Sequence, residues 1–211
     1  MKSLLHISAS PRGTQSRSQR VATAFLAEAT RCMPALRVDT LNVFEEPLPA
    51  LTAVRVGGKY QLLAGQELTT AAEKSWEAIV AQITRFLAAD TYLISTPMWN
   101  FGIPYALKHY LDVIVQPKYL FQYTAQGPVG LALGKRMLVV SARGGDYSAD
   151  SPYHACDFVE PYLRTVFGFV GISDLTFVNA QPLDAGGPQV AENKLNEAEA
   201  RARAIAAQWC D

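Results

Sequence analysis

The chain lacks the features that mark membrane, nucleic-acid or metal-binding proteins. No apolar stretch approaches the ~18–20 residues that cross a bilayer. Charge runs are absent, and 19 basic side chains balance 19 acidic ones, so no basic footprint for nucleic acid exists. Cysteine is scarce: Cys32, Cys156 and Cys210 are odd in number and lack metal-ligand spacing. They read as buried or incidental thiols of a reducing compartment, and no metal is expected. No secretory leader pattern opens the chain, so a cytoplasmic location is the expectation. The dinucleotide pattern G-x-G-x-x-G and the nucleoside-triphosphate loop are missing as well. Gly130-Leu131-Ala132-Leu133-Gly134-Lys135 mimics the latter, but it is too short and leads into a strand.

What remains is an ordinary globular composition of 49% hydrophobic and 18% charged residues. At 211 residues, one domain spanning 1–211 is expected. Strand-like and helix-like patterns alternate, which predicts βα units and a parallel sheet. Leu4–Ile7, Tyr92–Ile94, Met137–Val140 and Leu175–Val178 are short continuous apolar runs, as strands covered on both faces require. Leu36–Leu41 alternates apolar and charged residues and reads as a half-buried edge strand. These strands suit an α/β three-layer sandwich of flavodoxin-like order 2-1-3-4-5 with helices on both faces.

Helix signals fit between them. Thr70–Glu73 has capping-box spacing, and Trp76, Ile79, Val80, Ile83 and Phe86 form one stripe. Pro104 and Pro188 suit helix first turns. Ala198, Ala202, Ile205 and Trp209 share a face of the last helix. Two connections, about Phe44–Glu67 and about Val115–Lys135, exceed the ~2–6 residues typical of α/β loops. The second reads as a hairpin-like excursion carrying Tyr119, Phe121 and Tyr123.

Three polar or glycine-bearing segments follow strand-like runs, at the strand ends where open parallel sheets bind ligands. The first brings Ser10, Ser16 and Ser18 to a helix start, whose free N–H groups and dipole suit a phosphate. Alternatively these serines are plain loop and cap residues. The second, Pro97-Met98-Trp99-Asn100-Phe101-Gly102, offers aromatic surface for a flat ring and an amide for a heterocycle edge. The third, Ala142-Arg143-Gly144-Gly145, offers glycine amides that can approach a ligand closely through positive φ. Arg143 reads either as a charge near a pyrimidine edge or as a solvated side chain. A phosphate cradle with a ring shelf fits FMN better than NAD, FAD or ATP.

Ser8–Ser18, Pro97–Phe101, Phe121–Thr124 with Gly127-Pro128, Arg143–Gly145 and Glu160–Leu163 with Gly168–Ile172 resemble the FMN-dependent NADH:quinone oxidoreductase/azoreductase family. The resemblance covers nearly the whole chain. It implies FMN contacts at Ser10, Ser16, Arg17, Ser18, Met98, Trp99, Asn100, Phe101, Ala142, Arg143, Gly144 and Gly145. It also implies NADH or NADPH as donor, a quinone or azo compound as acceptor, and a homodimer with flavins near the interface. Trp99 stands where the family pattern often has tyrosine, and Ala142 where a hydroxyl residue is usual.

The expected reaction is two-step transfer through one flavin face, with no protein nucleophile. Trp99, Phe121, Tyr123, His154 and Phe169 are the expected substrate-pocket residues. Two rivals stand beside it. A flavodoxin-type electron carrier would be smaller and strongly acidic. A serine hydrolase built on Ser10 with Asp150 and His154 lacks G-x-S-x-G.

Overall fold

The computed structural model describes residues 1–210. Its centre is a five-stranded parallel sheet of β1 (Ser3–Ser8), β2 (Arg37–Asn42), β3 (Thr91–Pro97), β6 (Arg136–Ala142) and β7 (Asp174–Ala180). The order β2-β1-β3-β6-β7 is the expected 2-1-3-4-5, because β4 (Phe121–Thr124) and β5 (Gly127–Gly130) form a separate antiparallel hairpin.

Alternating strand side chains feed two apolar layers. On one face Ile7, Tyr92, Ile94 and Val139 pack with Trp76, Ile79 and Phe86 of α3 (Thr70–Leu87) and Leu107 of α4 (Tyr105–Ile114). On the other, Leu4, Leu93, Leu138 and Val178 pack with α1 (Arg17–Cys32) and α6 (Gly187–Cys210). Ala198, Ala202 and Ile205 are buried there, and the Trp209 ring meets Phe25 edge-on at 5.2 Å.

Several sequence expectations need correction. Residues 44–67 are not simply a loop, since Ala53–Leu63 forms α2 with Thr52 as its cap. Its Gly58 gives no room to a side chain because the Trp76 indole lies there, donating to the Arg55 carbonyl at 2.9 Å. The cap of α3 is Thr69, without the reciprocal side-chain bonds of a capping box. Pro104 is the cap of α4 rather than its first residue. Strand β2 is less buried than its alternation suggests: Arg37–Thr40 are all exposed, and Leu41 alone is buried. An edge strand pairing only with β1 has little cover.

The hairpin is seated on α5 (Glu160–Phe169). Gly130 lies so close to the Val170–Gly171 backbone that no Cβ fits, and Phe121 packs on Phe169 at 4.6 Å between ring centres.

A polar pair interrupts the layer beneath α1. His6 lies within 2.9 Å of the Ser95 hydroxyl, and burial lowers its pKa from 6.5 to about 4. The unfolded chain therefore binds more protons between these values, so stability falls as pH drops from about 6.5 towards 4. The group's share over that window is roughly 3 kcal/mol. Urea unfolding of a His6→Gln variant should show a shallower loss of stability across the window than the parent. Parallel pH curves for the two proteins would remove His6 as the cause.

Candidate functional site

The three expected loops meet at the carboxyl end of the sheet. A rung beyond the β3–β6 ladder joins two of them, as the Met98 amide donates to the Ala142 carbonyl at 2.9 Å. Arg143 N–H donates to the Ala180 carbonyl at 3.0 Å, adding the loop after β7. Between them lies a cavity of ≈ 180 Å³. Ser10, Ser16, Arg17, Ser18, Met98, Trp99, Ala142, Arg143 and Gly144 line it, with Arg12, Pro97, Leu183 and Asp184.

At one end the serines make an anion cradle. Ser10, Ser16 and Ser18 are all buried, and the Ser16 and Ser18 hydroxyls lie 3.2 Å apart. Ser16 caps α1, its Oγ accepting from the Gln19 amide at 3.3 Å. The first-turn amides of α1 and the positive end of its dipole face the same place. Clustered buried hydroxyls with nearby Arg12 and Arg17 fit a phosphate, which accepts from every one of these donors. Arg17 meanwhile holds Asp184 at 2.7 Å, both partly exposed.

The aromatic shelf is held by strain. Trp99 and Gly102 exchange two backbone hydrogen bonds of 2.9 Å around Asn100 and Phe101, whose φ values are +46° and +70°. Two positive φ values in a two-residue turn match a type I′ hairpin turn. Phenylalanine in that region is an outlier, and such strain gathers at ligand sites. Trp99 lines the cavity; Asn100 and Phe101 project past it, Phe101 48% exposed. Phe44 meets Trp99 and Tyr105 edge-on at 5.7 and 5.5 Å, extending the aromatic rim.

The glycine loop works differently from expectation. Neither Gly144 nor Gly145 has a positive φ. A Cβ on Gly144 would sit 2.6 Å from Asp184 Oδ2, so a side chain there would push the Asp184 carboxylate aside. Its carbonyl accepts from the amides of Leu183, Asp184 and Ala185, drawing the last loop over the crevice. Gly145 lies outside the cavity lining.

Arg143 is not a solvated side chain. It is 1% exposed, and its Nη1 donates to Asp157 Oδ2 at 2.9 Å while Nε donates to Ser141 at 3.2 Å. Burial lowers its pKa, against the raising effect of the Asp157 carboxylate. Nη2 has no partner in the protein.

The other expected pocket residues are dispersed. His154 lines a neighbouring cavity of ≈ 350 Å³ that shares Arg143 with the crevice. Its Nδ1 donates to the Tyr147 carbonyl at 3.1 Å, and no bond to Asp150 or Ser10 exists among the described residues. The hydrolase arrangement is therefore not assembled. Phe121, Tyr123 and Phe169 cluster at the hairpin. They lie at the far ends of α4 and α5, each ten residues long. At 1.5 Å per residue that is about 15 Å from the crevice end of the same chain. Tyr119 stacks on Trp76 at 6.3 Å, beside an open groove of ≈ 1060 Å³ along α3 that shares no residue with the crevice.

Among the described residues no His, Cys, Asp and Glu cluster suits a metal, and no helix is long and apolar enough to cross a membrane.

Comparison with known proteins matches residues 2–206 to a family described as having a flavodoxin-like fold. The chain is 42% identical over 209 residues to the FMN-dependent NADH:quinone oxidoreductase of Nitratidesulfovibrio vulgaris strain DP4, covering 99% of this chain and 100% of that one. A Nostoc punctiforme protein of the same name is 37% identical, covering 99% and 100%. Among solved structures, an azoreductase from Bacillus anthracis strain Sterne superposes with a TM-score of 0.88 at 28% identity, covering 98% and 99% of the two chains. An FMN-dependent NADH-azoreductase from Bacillus anthracis strain Ames Ancestor, solved with FMN, gives 0.84 at 33% identity, covering 98% and 100%. With crevice, topology and full-length similarity in agreement, the chain belongs to the flavodoxin-like family, among its FMN-dependent NADH:quinone oxidoreductases.

Proposed function

We propose that this protein uses FMN to carry electrons from a reduced nicotinamide to quinones and azo compounds. The observation that carries the reading is the convergence of three buried serines, an aromatic shelf and the Ala142–Gly144 loop on one crevice. Bound FMN would supply a two-electron carrier that accepts a hydride and passes both electrons on. The protein's part is placement. Ser10, Ser16 and Ser18 with Arg12 and Arg17 would hold the phosphate, while Met98 and Trp99 would support the ring. The Ala142–Gly144 loop would offer its polar groups to the ring's edge, with Asn100 and Phe101 at the mouth. Strand ends close the floor of the crevice, so donor and acceptor use the open face in turn. NADH is the donor that the resemblance favours, with NADPH the alternative to exclude.

An electron carrier needs only an exposed flavin edge. The neutral charge, the α2 segment and the hairpin add walls that a carrier does not require. Three free thiols suit the reducing cytoplasm.

The phosphate assignment is tested by FMN titration of a Ser16→Ala/Ser18→Ala protein. Binding should weaken by roughly 1–3 kcal/mol in total. Unchanged affinity would place the phosphate elsewhere.

The active unit is read as a two-fold homodimer. Trp99, Phe101, Tyr105 and Phe158 leave an aromatic rim exposed, and the Phe158 amide donates to the Phe101 carbonyl at 3.0 Å. Soluble monomers seldom expose such a patch, and closed two-fold dimers are the commonest assembly. Tyr123, 64% exposed on the hairpin, lies too far from its own crevice and reaches a substrate only across such an interface. Sedimentation at low micromolar concentration should give twice the chain mass, and Phe158→Asp should lower both association and turnover. A fully active 23.0 kDa species would show that one chain suffices.

A further inference from the structure

Arg143 and Asp157 form the sole ion pair among the described residues in which both side chains are under a tenth exposed, at 1% and 6%. Every other pair has at least one partner more than a third exposed. Removing two charges from water is costly, and buried pairs are weak contributors to stability. Arg143 lines the crevice wall and Asp157 the neighbouring cavity that shares Arg143, and their burial leaves the field of these charges less screened than that of surface groups.

The sequence distance between the partners is bridged by a defined scaffold. Asp157 Oδ1 accepts from the amides of Val159 and Glu160 at 2.9 and 3.2 Å, fixing the carboxylate to the start of α5. Arg143 is pinned by Ser141 through Nε and by Asp157 through Nη1, with Gln181 Oε1 a further 3.4 Å contact. Only Nη2 is left without a partner. The guanidinium is thus held in one orientation, with a compensating carboxylate on one side.

We propose that Arg143 and Asp157 set the reduction potential of the bound flavin as opposed charges, Asp157 acting as a positioning residue that orients and partly cancels Arg143. The inference rests on FMN occupying the crevice. A hydride brings the flavin two electrons and one proton, so the reduced cofactor carries one more negative charge than the oxidised one. A positive charge in the wall favours that reduced form and a negative charge disfavours it. The native pair sums to zero. Asp157→Asn keeps an oxygen for the α5 amides and leaves Arg143 uncompensated, so the potential should rise. Arg143→Gln leaves the carboxylate uncompensated, so the potential should fall. The double variant restores neutrality and should return close to the parent, and Arg143→Lys should lie closer to the parent than Arg143→Gln.

The test measures the midpoint potential of FMN on each purified holoprotein with redox dyes, alongside the FMN dissociation constant of the oxidised form. A tenfold change in the reduced-to-oxidised affinity ratio, about 30 mV for two electrons, is expected for each single variant with opposite signs. Shifts of the same sign, or a double variant no closer to the parent than either single, would overturn the proposal as a structural effect. If Asp157→Asn does not retain FMN, Gln181→Glu places a second carboxylate beside Nη1 and should lower the potential; no shift there would also overturn it. If the parent itself binds no FMN, the functional reading fails, and this inference with it.

Discussion

The Met98 amide to Ala142 carbonyl bond, 2.9 Å long, is the contact on which the site's geometry rests. It extends the β3–β6 ladder one rung past Pro97, so the aromatic loop and the Arg143 loop leave the sheet side by side. Parallel pairing with β1 sets the serine loop at the same level, with the Ala9 amide donating to the Ser95 carbonyl at 2.8 Å. Three loops of unlike composition thus share one floor. The sheet is covered by helices on both faces, and that burial makes the floor rigid.

Such a floor can support unfavourable local chemistry above it. Three buried serine hydroxyls, a left-handed phenylalanine and an arginine with an unpaired nitrogen are each destabilising alone. All lie within or beside the same crevice. The apolar layers elsewhere hold the His6–Ser95 pair and the buried, unpartnered Tyr110 hydroxyl.

The fold was largely legible because doubly covered strands need unbroken apolar runs, and β1, β3 and β6 have them. Helix α2 was hidden by Gly57 and Gly58 and by a surface on which only Gly58 and Leu62 are buried. Its glycine answers to Trp76, a partner distant in sequence. In the site, the serines and Trp99 were readable because strand ends and hydroxyl or aromatic residues coincide. Arg12 stood inside the same motif and was overlooked, although its charge beside Ser10 was a usable signal. Leu183, Asp184 and Asp157 carried no local signal; backbone bonds to Arg143 and Gly144 bring the first two in, and an ion pair the third. Phe121, Tyr123 and Phe169 join the expected pocket through the family resemblance and their aromatic character, and within one chain α4 and α5 carry them to the end away from the crevice.

The central claim is that one crevice serves donor and acceptor in succession through a bound flavin. The most direct measurement mixes the purified FMN-loaded protein with NADH in the absence of oxygen and of any acceptor, then adds a quinone. The flavin absorbance should bleach with about one equivalent of NADH and return with about one equivalent of quinone, two electrons passing each way. A flavin that stays oxidised under NADH until the quinone is also present would contradict the account.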